Sequence, residues 1–237
     1  MAGRRTSRAP LNREAVLGAA VALADEQGVG RLSMRTLAEA LGVVPMALYK
    51  HVSGKEDLLD GMVDVIVAEI DPALEGQDWR TTVRSRILSA RTVLLRHRWA
   101  RQVLETRTTR TPAVLAYTDS FIGMFLERGF SVDLTHHVMH ALGSRMWGFT
   151  QELFDAPDTG GPAGPSSSAS PPPDAGQLEE MARRFPNVLR IAMASAHDDD
   201  GVVGRGCDDQ FEFEFALDLL LDGIEGLHAR GWTSARA

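Results

Sequence analysis

The chain has 237 residues, 44% of them hydrophobic and 24% charged, with one cysteine and a formal net charge of −7. That length can bury a sizeable core, a lone Cys207 excludes an intrachain disulfide and suits a reducing cytoplasm, and no apolar run approaches the roughly 18 residues of a membrane span. The charge is uneven: residues 1–55 hold eight Lys/Arg and four Asp/Glu, a local +4 that leaves −11 for the rest. Phosphate attraction is local and screened, so a basic segment on an acidic body still admits a nucleic-acid partner.

In chain order, residues 1–10 read as a flexible basic arm. Arg4, Arg5 and Arg8 are followed by no apolar stretch of a secretory signal, and a solvated tail is favoured over a minor-groove contact. Asn12 can cap a first helix to about Gln27, with Ala15, Val16, Ala19, Ala20 and Leu23 as its buried stripe and Gly28 as its stop. Ser33 caps a second helix whose Leu37, Ala38 and Leu41 form one apolar face. Gly42 supplies the positive φ that ends it, and Pro45 opens a third helix at a position where a missing N–H costs nothing. That third helix turns Leu48 inward and leaves Tyr49, Lys50 and His51 as polar-tipped neighbours. Ser53 and Glu56 fit a capping box for a fourth helix, which carries Leu58, Leu59, Met62, Ile66 and Ile70 as far as Pro72. Two helices about a Gly-centred turn, held by helices before and after, make a helix-turn-helix whose second helix suits a DNA major groove.

Further along, Trp79 begins a second helical region, with a helix through Val83, Ile87, Leu88, Val93, Leu94 and Leu95 and a shorter piece from Trp99 to Thr106. Pro112 opens another helix, closed by Gly129, and Asp133 to Phe154 reads as one long helix. From Pro157 to Gly176, 14 of 20 residues are Pro, Gly or Ser, a disordered loop. Helix resumes over about 177–195, and a last helix spans Asp209 to Ala229, apolar around most of its circumference. Two readings fit that last helix: a fully buried central helix, or a dimer seam through Phe213, Leu217, Leu220, Leu221 and Ile224.

The fold class predicted is all-α: an N-terminal three-helix helix-turn-helix DNA-binding domain and a larger C-terminal helical domain. The expected boundaries are an arm at 1–10, the DNA-binding domain at 11–55, a connecting helix at 56–72 and the C-terminal domain at 73–237, with a disordered loop at 155–176.

The stretch from Thr36 to Leu59, TLAEALGVVPMALYKHVSGKEDLL, resembles the DNA-binding signature of the tetracycline-repressor (TetR) family of transcriptional regulators. Its Gly-Val, Leu-Tyr-x-His-Val and Lys-x-x-Leu-Leu elements stand at family spacing, and the likeness covers roughly residues 10 to 70. The segment beginning Leu142-Gly-Ser-Arg-Met-Trp-Gly resembles the tetracycline-repressor-like C-terminal domain. The resemblance implies base-contacting positions at Arg35, Pro45, Met46 and Ala47 and phosphate contacts at Tyr49, His51 and Lys55, with Lys50 between them. Only Arg35 among the base-facing four can bond guanine bidentately. For Tyr49 packing between helices competes with the phosphate role, and for Lys55 a solvated charge does. The partners implied are a double-stranded DNA operator, a second copy of the chain and an unidentified small-molecule effector, with no membrane.

The resemblance also implies dimerisation through the last two long helices and a pocket in the second domain. Candidate lining residues are Trp99, Tyr117, Phe121, Phe125, His140, Met146, Trp147 and Gln151, each of which also fits the core. Where tetracycline repressors hold metal-chelate histidines, this chain has Glu69 or Ile70 and Leu104, which argues against magnesium–tetracycline as effector. His136, His137 and His140 share a helical face, but no Cys, Asp or Glu within a turn completes a metal set. The Asp198–Asp200 run lacks the alternation of a calcium loop, and Cys207 beside Asp208 and Asp209 is disfavoured as a thiolate. No metal and no cofactor is expected. No phosphate loop, nucleophile elbow or Ser/His/Asp set points to an enzyme. The function predicted is a cytoplasmic homodimeric regulator, most simply a repressor released by a small molecule, with a ligand-independent DNA-binding or architectural protein as the alternative.

Overall fold

A computed structural model describes residues 11–107, 110–147, 175–194 and 209–234, and every regular element within them is helical. Helix α1 (Arg13–Gln27) opens on Asn12, whose side chain accepts the Ala15 N–H at 2.7 Å, and stops at Gly28 with φ 79°. A 3-10 turn (Val29–Arg31) leads to α2 (Met34–Leu41). Ser33 and Thr36 cap each other reciprocally there, each side chain accepting the other's backbone N–H. Gly42 sits in the left-handed region at φ 61°, and Pro45 begins α3 (Pro45–Leu48).

Helix α4 (Lys55–Ala68) starts differently from the expected capping box. Gly54 holds the cap position, and the Asp57 carboxylate, not the Ser53–Glu56 pair, reaches back to accept the Ser53 N–H at 2.7 Å. Glu56 is drawn away to the Arg107 guanidinium. The helix also ends at Ala68, short of Pro72. The residue before a proline avoids helical backbone, and that residue, Asp71, gives its N–H to Ser89 Oγ at 2.9 Å instead.

Next come α5 (Trp79–Arg96), capped by Asp78, then α6 (Ala100–Thr106), α7 (Pro112–Leu126), capped by Thr111, and α8 (Val132–Trp147). The stretch expected as one helix over 177–195 is two, α9 (Ala175–Arg184) and α10 (Pro186–Ala194). Pro186 has no N–H to give the preceding turn and displaces Phe185 from helical backbone. Ala175 and Gly176, placed in the predicted loop, begin α9, while residues 155–174 lie outside the described ones. Helix α11 (Asp209–Ala229) has its predicted bounds.

Two compact units make up the chain: residues 1–141 with 227–237, and residues 142–226. In the first, Val16, Ala20, Leu37, Leu48, Leu58, Met62 and Ile66 are at most 1% exposed and share one core with Val93, Trp99, Ala100 and Val103. Gly61 lets α4 cross close to α1: a Cβ at that position would meet Leu17 Cδ2 at 2.6 Å. A second cluster forms around Phe125, with the Trp79 and Phe130 rings at 5.9 and 5.4 Å, and the imidazole of His228 stacks on Phe130 at 3.8 Å.

In the second unit, Phe213, Leu217, Leu221 and Ile224 are buried within the single chain. Leu220 is half-buried, and the exposed apolar residues of α11 are others than the five expected at a dimer seam. The apolar stripe left uncovered on α11 is Phe211, Phe215 and Leu219, at 63%, 54% and 57% exposure. The residues of α11 alternate apolar and polar over 211–215, which supplies two helical faces, and packing within the chain decides which one turns inward.

Candidate nucleic-acid interface

Helix α3 is only one turn long, and Leu48 pins it by full burial. The pin holds the rest of the turn outward. Met46 is 73% exposed and Tyr49 48%, with Pro45 and Lys50 also exposed and Ala47 and His51 half-buried. Arg35 projects from α2, where it forms an exposed ion pair with Glu39 one turn on, Nε to Oε1 at 3.5 Å, and Lys55 is exposed at the start of α4. These eight residues thus occupy three successive elements of the head. Val44, 67% exposed just before α3, was missed in the sequence reading because Gly-Val-Val resembles core filling. Its tell is its position directly before a helix-opening proline, where the side chain has no helix to pack on.

The turn between α3 and α4 is held electrostatically from below. Arg13 of α1 donates to both Asp57 oxygens, at 2.6 and 3.2 Å, and to the His51 carbonyl at 2.8 Å. Hydrogen bonding by Arg13, helped by the Ser53 N–H, lowers the Asp57 carboxyl to about 2. A carboxyl depressed on folding stabilises above its ordinary range and loses that contribution as pH falls through its folded value. Asp57→Asn is therefore expected to cost about 1 kcal/mol, given that Arg13 is half-exposed and screened. The deficit should be constant above pH 5 and vanish towards pH 2, measured as chemical unfolding at a series of pH values.

Behind the head, a second set of polar contacts ties it to α5–α7. His97 is buried, with Nδ1 at 2.8 and 3.0 Å from the Asp25 oxygens and Nε2 at 3.2 Å from Glu69. The Trp99 indole donates to Asp25 at 2.6 Å, and Arg96 donates to Glu69 at 2.7 Å. Arg107, at the end of α6, pairs with Glu56 and with Asp60 at 2.9 Å, and Thr111 donates to Asp64. Glu56, Asp60 and Asp64 lie four apart on one face of α4. Sequence reading offered no sign of these partners, since they stand 27 to 74 residues apart.

The expected pocket residues do not all fall together. Tyr117, Phe121 and Phe125 follow one another along α7 with centroid spacings of 6.2 and 5.9 Å. Burial pushes the Tyr117 phenol upward, opposed by the nearby Arg86 guanidinium. Trp99 instead belongs to the Asp25 cluster, and His140 is exposed on α8 beside His136, ring centroids 4.7 Å apart. Met146 and Trp147 close α8 with side chains outside the described set, as is Gln151. Among the described residues no group of three or more His, Cys, Asp or Glu could hold a metal ion, and no helix is long and apolar enough to cross a membrane.

Two family profiles match the chain: bacterial regulatory proteins of the tetR family over residues 16–62, and the tetracyclin repressor-like C-terminal domain over residues 71–227. The class D tetracycline repressor protein of Escherichia coli is 32% identical over 223 residues, covering 92% of this chain and 90% of that protein. An HTH-type transcriptional regulator of Saccharopolyspora erythraea is 36% identical over 121 residues, about half (51%) of each chain. Among solved structures, the Streptomyces coelicolor TetR family protein ActR in complex with actinorhodin superposes with TM-score 0.68 at 22% identity, covering 95% of this chain and all of that one.

Proposed function

The chain belongs to the TetR family of bacterial transcriptional regulators, and from that premise we propose that it is a cytoplasmic repressor that binds a palindromic operator as a homodimer and is released by a small molecule. One observation carries the DNA-reading part. Met46, with Val44 before it, is a large apolar side chain held out into solvent by a turn whose other end, Leu48, is locked in the core. Such a group serves contact with thymine methyls in a major groove, with Arg35 as the guanine reader. Tyr49, Lys50, His51 and Lys55 take phosphates and set the register.

The uncovered stripe of Phe211, Phe215 and Leu219 supports pairing of two copies. Paired heads about 34–36 Å apart reach successive major grooves. An effector in the α5–α8 region acts by favouring an arrangement that misplaces the heads, since affinity without preference shifts nothing. The contacts of Arg107, Thr111 and His97 with α1 and α4 are the means of transmission. Glu69 is engaged by His97 and Arg96 and Leu104 carries no ligating atom, which tells against a metal chelate at those positions.

Selection of random duplex DNA by the purified protein at near-physiological salt tests the proposal. Enrichment of a palindrome with half-sites about one turn apart is expected. No enriched motif, with binding lost as salt rises, would overturn it. Lys55→Ala is expected to weaken binding to all sequences alike and to flatten the log Kd against log salt slope by about one unit. A loss confined to one operator would contradict its phosphate role.

A further inference from the structure

Arg86 of α5 is 8% exposed, and its partners do not neutralise it. Nη2 donates to Ser120 Oγ at 2.7 Å, the guanidinium carbon stands 4.7 Å from the Tyr117 ring centroid, and the buried Nε has no hydrogen-bond partner. No carboxylate among the described residues pairs with it. Removing a cation from water is costly unless an opposite charge compensates. A hydroxyl and a ring face are weak compensation, and an orphaned buried N–H adds its own penalty. Among the described residues only one other buried side-chain atom lacks a partner, Thr135 Oγ1 on α8, so both such atoms lie in the α5–α8 region and none in the reading head.

We infer that Arg86 anchors the acidic group of an anionic effector, a small aromatic carboxylic acid. The Nε and Nη2 edge of a guanidinium is a fork that matches two carboxylate oxygens. Here Nε is free, and Nη2 retains a second N–H beside the one it gives Ser120. Ser120 is exposed, so the charge lies one side chain below the surface. Half-buried Tyr117 has the guanidinium over one ring face and leaves the other for the flat remainder of the molecule. A single buried cation with aromatic neighbours suits a monocarboxylate better than a doubly charged phosphate. This assignment rests on the reading of the α5–α8 region as the effector domain.

The test uses the full chain and its selected operator. Thermal unfolding is followed with sodium benzoate, salicylate and cinnamate, each beside its carboxamide, for the natural protein and for Arg86→Met, with Arg86→Gln as a second variant should the first fail to fold. At least one acid is expected to bind about tenfold or more tightly than its amide. That ratio should collapse towards one in the variants, and Arg86→Met should melt no lower than the natural protein because an uncompensated charge has gone. No acid exceeding its amide, or a preference that survives in the variants, overturns the assignment. Operator release separates the two readings. An acid that binds through Arg86 yet leaves the operator complex intact would sink the ligand-released repressor and keep the anion site. An uncharged molecule that releases the operator equally from natural protein and Arg86→Met would do the reverse.

Discussion

Asp25→Ala is expected to destabilise the chain by about 2–4 kcal/mol, a fall of roughly 5–12 °C in Tm for a protein of this size. Asp25 accepts from two donors at once, Nδ1 of the buried His97 and the indole N–H of the buried Trp99. Alanine leaves both donors without their acceptor. Each orphaned buried donor carries a desolvation penalty of about 1–3 kcal/mol, larger than the net worth of the bond it lost. Asp25→Asn retains one acceptor oxygen and should fall between alanine and the natural residue. Thermal unfolding of the three proteins checks the order, and an alanine variant that melts with the natural protein would show that the cluster holds nothing together.

The second large effect concerns the short reading helix. Leu48→Ala is expected to cost about 2–5 kcal/mol, the range for emptying a fully buried leucine site. Because α3 has only one turn, its own backbone bonds cannot keep it formed. The variant should therefore lose affinity for every duplex, specific or not, in a gel-shift titration. Met46→Ala is the informative contrast: Met46 is mostly in solvent, so Tm should move by less than about 0.5 kcal/mol equivalent while base preference in the selected site changes. Equal loss of binding to every duplex in both variants would mean that Met46 supports the helix and does not read bases.

Much of the head is written locally. Asn12, Ser33, Gly42 and Pro45 each act on atoms within a few residues, so their roles follow from spacing alone and recur in the structure. Asp57 shows where local reasoning stops. Its claim on the Ser53 N–H is reinforced by Arg13, 44 residues away, and no window of sequence contains both. The His97 cluster is hidden for the same reason. Helix α11 was legible as a helix and ambiguous as to its faces, since Phe211 and Phe213 are equivalent in composition and only tertiary packing distinguishes them. Pro186 is a different case: its signal was local and present, and a strong apolar pattern on either side masked it.

The continuous core beneath α1 and α4 bears on how such a regulator can be re-engineered. Val93, Trp99, Ala100 and Val103 belong to the same apolar cluster as Leu37, Leu48 and Leu58. A chimera joined near Pro72, where the sequence places the boundary between connecting helix and C-terminal domain, would cut that cluster and set a foreign helix face against Met62 and Ile66. A junction placed after Thr106 would carry the whole cluster across with the donor's reading helix. Exchange of sensors between relatives thus depends on where the cut falls relative to α6, and a graft that respects the apparent modules is the one least suited to fold.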